Sequence, residues 1–162
     1  MTTTVPAGTT LCRFPLAGGA VVAADVRRAV REAVVSFAVR NGVPAEAGVF
    51  DDIVLVSSEL VVNALRHTTS PGELRLAALG LSIVVEVDDG DARLPAKVPA
   101  ERRGARGGYG LQVVEELAQS WGAVPRPCGK TVYARLVLPD RPAPDAGPGL
   151  ALPRRCAAQG RT

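Results

Sequence analysis

The sequence has few aromatic residues and almost no lysine. Aromatic side chains make up 4% of the 162 residues, and Lys97 and Lys130 are the two lysines, so the formal net charge of +3 comes almost wholly from scattered arginines. Proteins that bind nucleic acid typically carry a basic stripe interleaved with aromatic side chains. The composition therefore argues against direct nucleic-acid binding.

Long hydrophobic runs are also missing. No apolar stretch approaches the ~20 residues of a membrane span, and the N-terminus lacks the basic and apolar regions of a signal peptide. The three cysteines, Cys12, Cys128 and Cys156, are odd in number and far apart, which favours free thiols over a disulfide framework or a zinc site. We therefore expect a cytoplasmic protein that does not enter the membrane.

The length fits one domain with a sizeable hydrophobic core. Residues 1–8 are predicted to form a flexible tail, residues 9–138 the folded domain, and residues 139–162 a disordered tail. The last segment is rich in proline and offers no periodic apolar face, so it cannot bury enough area to offset the entropy of ordering.

Hydrophobic periodicity and turn residues predict three helices and five strands. The predicted helices cover residues 20–40, 48–68 and 109–121, and the predicted strands cover 9–16, 73–79, 81–88, 122–126 and 130–138. Residues 90–108 break the periodicity and are predicted to be a loop. Helices that alternate with a run of neighbouring strands favour an α/β two-layer sandwich, with one mixed, mostly antiparallel sheet and helices on a single face.

The second predicted helix carries a narrow polar stripe. At 100° per residue, Asp52, Glu59, Asn63 and Arg66 share this stripe, opposite the apolar side of the helix. The Asn63 amide oxygen is a suitable hard ligand for Mg²⁺, and Glu59, one turn earlier, could take a proton from a nucleophile. A solvated helix face is the simpler interpretation of such a stripe, although asparagine is a poor residue for a helix interior.

Two carboxylates end the central predicted strand. Asp88 and Asp89 follow a buried run and precede Gly90, so a cationic or N–H-bearing group should meet them. A structural turn is the alternative interpretation, since Asp-Gly is common in turns. The pattern of an EF-hand calcium loop is not present.

A glycine-rich segment leads into the third predicted helix. From Gly104 to Leu111 it offers backbone N–H groups and the positive end of the helix dipole, which suits a phosphate chain. The arginines beside it, Arg102, Arg103 and Arg106, also suggest phosphate. It is neither a P-loop, since no Gly-Lys-Ser/Thr follows, nor a dinucleotide fingerprint, since no strand precedes it.

Four motifs in order resemble those of the GHKL ATPases. They are Glu59-Leu-Val-Val-Asn63-Ala-x-x-His67, Val85-x-Val-x-Asp89 before Leu94-Pro95, Gly108-Tyr-Gly110-Leu111, and Gly129-Lys-Thr131-Val-Tyr. The resemblance covers about residues 10–138 and is strongest to the anti-sigma-factor serine/threonine kinases. It implies the Bergerat ATP-binding fold and a site for ATP or ADP with Mg²⁺.

The resemblance also implies residue roles. Asn63 would hold Mg²⁺, Asp89 would accept a hydrogen bond from the adenine amino group, and Glu59 would be the general base. Thr131 would assist at the adenine. The other residues implied to bind the nucleotide are Arg66, Arg106, Gly108, Tyr109, Gly110 and Leu111. The sequence departs from the family pattern where Asp91 or Ala92 replaces the usual second glycine.

The implied function is that of an ATP-binding regulator. The first hypothesis is a serine/threonine kinase that acts by partner switching on an anti-sigma antagonist, a sigma factor, or both. The alternative is a nucleotide-gated binding module without phosphoryl transfer, for which Asn63 and Asp89 would suffice. A detached histidine-kinase half is disfavoured because His67 does not fit a phosphoacceptor, and a topoisomerase-type ATPase because a transducer domain is missing. A homodimer is left open.

Overall fold

The computed structural model describes residues 8–16, 23–44, 48–68, 70–95 and 109–139. They form five strands and three helices. In chain order these are β1 (Thr9–Pro15), α1 (Ala23–Asn41), α2 (Gly48–His67), β2 (Pro71–Leu79), β3 (Ser82–Asp89), α3 (Gly110–Leu117), β4 (Ser120–Arg126) and β5 (Gly129–Val137).

The strands form one sheet in the order β1-β2-β3-β5-β4, and all four pairings between the described strands are antiparallel. Ile83, Val85 and Val87 of β3 are fully buried in the hydrophobic core. Side chains on a strand alternate between the two faces of the sheet, so these three residues lie on the same face. Their burial shows that this is the face covered by the helices. This is the predicted two-layer α/β sandwich with a mostly antiparallel sheet, and it is consistent with the GHKL ATP-binding fold.

Helix α2 is the central helix of the covering layer, since it contacts α1, α3 and strands β2, β3 and β5. On the apolar side of α2, Ile53, Leu60, Val61 and Ala64 are buried in the core, whereas Leu65 is 36% exposed. The buried residues fill one side of the helix and leave the predicted polar stripe on another.

The buried positions of α1 recur every four residues, at Val26, Val30, Val34 and Ala38. Gly42, with φ of 61°, follows the helix, and the Val43 N–H donates to the Ala38 carbonyl. Asn41-Gly42 therefore forms the C-cap of α1, with glycine in the left-handed conformation.

The predicted end of the third helix is wrong. Helix α3 stops at Leu117, and Ala118 already has extended backbone with ψ of 139°. Trp121 and Gly122 belong to β4, where they pair with Ala134 and Tyr133 of β5. The backbone groups of this segment pair with β5 and not within a further helical turn.

Other boundaries agree to within a few residues, and β2 begins slightly earlier than predicted, at Pro71. Most of the two predicted tails and residues 96–108 of the predicted loop lie outside the described residues. The described cysteines, Cys12 and Cys128, are free thiols. None of the described helices is long and apolar enough to span a membrane.

Candidate functional site

The site begins where α2 meets the start of α3. A β-carbon placed on Gly110 would lie 2.6 Å from Glu59 Oε2, 3.4 Å from Asn63 Nδ2 and 3.6 Å from Asn63 Oδ1. The carboxylate and the amide, one helical turn apart on α2, therefore both meet the backbone of Gly110. A larger residue than glycine would occupy the space between them.

The amide nitrogen of the Asn63 side chain is buried, and it has no hydrogen-bond partner among the described residues. Buried polar groups without a partner are rare in native proteins, because each costs the desolvation free energy of the group. An unpartnered amide at this point indicates a ligand contact.

The first turn of α3 offers donors at the same place. Its N-cap residue Tyr109 makes no side-chain capping hydrogen bond, and no acidic residue lies in the first turn. The N–H groups at a helix start have no partners within the helix, and they carry the positive end of its dipole. An anionic group near Glu59 and Asn63 would find these donors.

Asp89 lies at the end of β3, on the helix face of the sheet. It is 6% exposed and continues the alternation of Val85 and Val87. Its Oδ2 accepts a hydrogen bond from Lys130 Nζ at 2.6 Å, and its Oδ1 accepts one from the Asp91 N–H at 2.9 Å. The group predicted to meet the carboxylate is therefore Lys130.

Two glycines allow neighbouring segments of the chain to approach the backbone of Asp89 and Gly90 closely. A β-carbon on Gly129, which has φ of 120°, would collide with the Asp89 carbonyl oxygen. A β-carbon on Gly90 would lie 2.7 Å from the Ser70 carbonyl oxygen and 2.9 Å from Thr68 Oγ1, just after α2. The start of β5 and the end of α2 thus both pack against the Asp89-Gly90 backbone.

Thr131 is not brought together with Asp89. In the β3–β5 register Lys130 lies opposite Asp89, and Thr131 lies opposite Asp88. Thr131 Oγ1 donates to Asp88 Oδ1 at 2.7 Å, on the sheet face that the helices leave open. The two residues expected to meet at the adenine therefore lie on opposite faces of the sheet.

The open face carries an ion-pair network instead. Arg75 donates to both carboxylate oxygens of Asp88, at 2.6 and 2.9 Å, and to Glu86 at 3.1 Å. Burial disfavours ionised Asp88, but hydrogen bonds from Arg75 and Thr131 outweigh it and hold the Asp88 pKa below its usual value. The hydrogen bond to Asp88 is also the main cause that raises the pKa of Arg75. This network joins β2, β3 and β5 and has no contact with Asn63.

Asp91, at or beside the position where the family usually has its second glycine, forms hydrogen bonds with Arg93. Its carboxylate accepts hydrogen bonds from the Arg93 side chain and backbone N–H, which lower the pKa of Asp91 to about 2. Its carbonyl oxygen accepts a 2.7 Å hydrogen bond from Lys130 Nζ. The backbone of Asp91 thereby helps to hold the Lys130 side chain.

The remaining predicted site residues are placed as follows. Arg66 is exposed on α2, Tyr109 is 51% exposed, and Leu111 is half-buried in the first turn of α3. Arg106 and Gly108 lie outside the described residues. Within the described ranges no group of three or more His, Cys, Asp or Glu side chains is arranged to hold a metal ion.

Lys130 is the residue that the sequence analysis missed. It stands in the Gly-Lys-Thr-Val-Tyr motif and is one of only two lysines. The strand alternation could have identified it, because Lys130 shares a side of its strand with the apolar Val132 and Thr131 does not.

Two of the comparisons with known proteins found similar proteins. The profile of a family described as "Histidine kinase-like ATPase domain" matches residues 21–136. Among solved structures, the histidine kinase domain from the Erythrobacter litoralis EL346 blue-light activated histidine kinase is similar at 21% identity with a TM-score of 0.44. That alignment covers 74% of this chain and 66% of the other, just under two thirds of its length. No curated protein matches the chain.

The family match spans most of the chain and contains every described part of the site, from Glu59 and Asn63 on α2 through Asp89 to Gly110 and Lys130. The chain belongs to the histidine kinase-like ATPase domain family.

Proposed function

We propose that this protein is an ATP-binding regulator that transfers phosphate to a serine or threonine of an anti-sigma antagonist and acts by partner switching. Family membership implies a nucleotide site, and the observation that carries the proposal is the unpartnered Asn63 amide beside Glu59 at Gly110. The four motifs shared with anti-sigma-factor kinases support the finer assignment, and such a regulator would work in the cytoplasm.

The residues present fit Mg²⁺ bound with a nucleotide. Asn63 would supply an amide oxygen, a ligand that Mg²⁺ accepts, once the amide turns its oxygen toward the ion. The ion would neutralise phosphate charge when bound. In such a site phosphate oxygens would supply the other ligands.

The chain's own residues would then have distinct tasks. The first-turn N–H groups of α3 bind phosphate oxygens, and Asp89 accepts from the amino group of the base. Glu59 lies one turn from Asn63, where it can take the proton from a hydroxyl group that a partner brings to the phosphate. Glu59 distinguishes the kinase from a simple nucleotide-gated binding module, which would need only Asn63 and Asp89.

Asn63→Ala tests the nucleotide site. Because Nδ2 has no partner among the described residues, its removal should leave the free energy of unfolding unchanged or raise it by up to about 1 kcal/mol. Affinity for ATP in the presence of Mg²⁺ should fall at least about tenfold, since the ion loses its protein ligand. Calorimetry with and without Mg²⁺, together with urea unfolding, measures both effects.

Asp51→Asn is the matched control for protein integrity, because it changes an exposed side chain of the same helix that has no role in the proposed site. We expect its urea unfolding to resemble that of the parent. If Asn63→Ala binds ATP with Mg²⁺ as tightly as the parent chain, the assignment of Asn63 as the metal ligand is wrong.

A further inference from the structure

The Asp89–Lys130 ion pair is an unusual feature for this site. The two side chains are 6% and 4% exposed, so a lysine is buried against the carboxylate expected to recognise the base. Buried lysines are rare because transfer of the ammonium group out of water is costly. Replacement of such a pair by apolar side chains is often neutral for stability, so stability alone does not explain its presence.

The pair has unused hydrogen-bonding capacity. An ammonium group has three N–H donors, and Lys130 uses two of them, on Asp89 Oδ2 and on the Asp91 carbonyl. Among the described residues no partner is found for the third. A carboxylate has about four lone-pair positions, and each oxygen of Asp89 accepts one hydrogen bond from the described residues. The pair therefore presents a donor beside an acceptor.

Adenine carries the complementary groups side by side. Its exocyclic amino group is a donor, and the ring nitrogens N1 and N7 that flank it are acceptors. An isolated carboxylate could bind only the amino group. A carboxylate with an ammonium group 2.6 Å away can bind the amino group and a neighbouring ring nitrogen together.

We propose that Lys130 is a base-reading residue, which donates its third N–H to a ring nitrogen of adenine next to the amino group that Asp89 accepts. The inference rests on the proposed nucleotide site and adds a specificity determinant to it. It also gives Thr131 no part in base recognition, because Thr131 lies with Asp88 on the other face of the sheet.

Burial makes this contact selective. A hydrogen bond formed away from water is strong, and a donor left without its acceptor there pays the desolvation cost in full. A nucleotide that keeps the amino group but lacks the ring nitrogen should therefore bind at least about tenfold more weakly than ATP.

The test compares ATP with 1-deaza-ATP and 7-deaza-ATP, in which N1 or N7 is replaced by a C–H group. Calorimetry with Mg²⁺ and the unmodified chain gives the three affinities, so this first comparison of nucleotides needs no variant. We expect one of the two analogues to lose at least about tenfold in affinity. The analogue that loses affinity identifies the ring nitrogen.

Lys130→Met removes the donor and keeps the length of the side chain. In this variant ATP and both analogues should bind within about twofold of one another, because the discriminating contact is gone. Asp89→Asn/Lys130→Met is the second variant, for use if the single change leaves an unstable buried carboxylate. Arg135→Met is the matched control, since it removes a cation from the open face of the same strand and should discriminate like the parent.

Equal affinities of the unmodified chain for all three nucleotides would overturn the inference and leave the nucleotide site intact. The same conclusion follows if the loss persists undiminished in Lys130→Met. A parent chain that binds no ATP at all would refute the proposed function, and the base-reading role with it.

Discussion

Gly110 joins the two polar residues of α2 to the start of α3. The backbone of Gly110 approaches these side chains closely because it carries no β-carbon, which would lie 2.6 Å from Glu59 Oε2. The nearest atom is the far end of a flexible side chain, so an added methyl group can displace it. Glycine at this position therefore matters more for the position of the Glu59 carboxylate than for the stability of the fold.

Gly110→Ala should consequently affect function and spare stability. We expect the free energy of unfolding to change by less than about 1 kcal/mol, because Glu59 can rotate away and alanine is a better helix residue than glycine. ATP affinity should fall several-fold as the displaced carboxylate enters the space beside Asn63. Gly48→Ala is the control, since a β-carbon there has nothing within 4 Å. Calorimetry showing the same ATP affinity for both variants would contradict the role assigned to Gly110.

At the scale of elements, the β3–β5 pairing determines which residues can form a site. Gly129 opens β5 directly against the backbone of Asp89 and Gly90, and its φ of 120° is one that side-chain-bearing residues rarely adopt. The clash involves backbone atoms on both strands, which cannot rotate away. The register that puts Lys130 opposite Asp89 thus depends on this glycine.

Gly129→Ala should destabilise the protein by more than about 2 kcal/mol, because strain at φ and a backbone collision act together. Gly42→Ala is the matched comparison. It also has a positive φ, 61°, but its β-carbon would meet open space, so we expect a cost of only about 1 kcal/mol. Urea unfolding measures the free energy of unfolding of both variants. Similar decreases in the two would show that the close approach at Gly129 does not contribute to stability.

The network on the open face predicts a pH dependence. The pKa of Asp88 is lower in the folded chain than the ordinary value near 4, so its ionisation stabilises the fold above about pH 5. That contribution is lost as the pH falls through the folded pKa. The side chain is 35% exposed, so we expect no more than about 1 kcal/mol.

Asp88→Asn checks this sign. The parent should have the higher Tm at pH 6, and the difference should shrink as the pH falls below about 4, where the parent carboxylate also becomes neutral. Asp51→Asn, which removes an exposed carboxylate paired with Arg31, is expected to change Tm little at either pH. A difference between parent and Asp88→Asn that grows toward low pH would reverse the assigned sign.

The same elements show what the sequence could predict. Period-four burial in α1 and alternation in β3 report directly on one face of one element, so the helices, the strands and the two-layer fold were predictable. The end of α3 was not, because Trp121 fits the helical pattern equally well and only its pairing with β5 decides. Alternation within β5 indicates that Lys130 and Thr131 face opposite sides of the sheet, but which of them lies opposite Asp89 depends on register, a long-range property that local periodicity does not contain.

At the scale of the whole molecule, the proposed kinase needs a second protein that supplies the hydroxyl group. Glu59 and Asn63 lie on α2 beside the start of α3, and the three atoms nearest to a β-carbon placed on Gly110 belong to these two residues. If the protein is a kinase, the nucleophile must come from a partner. Alone, it should therefore hydrolyse ATP slowly. Residues 139–162, predicted to be a disordered tail, should be dispensable for nucleotide binding, and calorimetry on a chain that ends at residue 138 measures this.

Glu59→Gln decides between kinase and binding module. Glutamine preserves the size and hydrogen bonding of the side chain, so ATP affinity and Tm should remain close to those of the parent, while proton abstraction is lost. With radiolabelled ATP and antagonist domains from the same genome, the parent should label a partner serine or threonine, and the variant should be slower by about 10²–10⁴-fold. Asn63→Ala serves as the nucleotide-site control in the same assay. A partner that binds tightly and is never labelled, or one that Glu59→Gln labels as fast as the parent, would exclude the kinase and favour a binding module whose partner exchange depends on nucleotide alone.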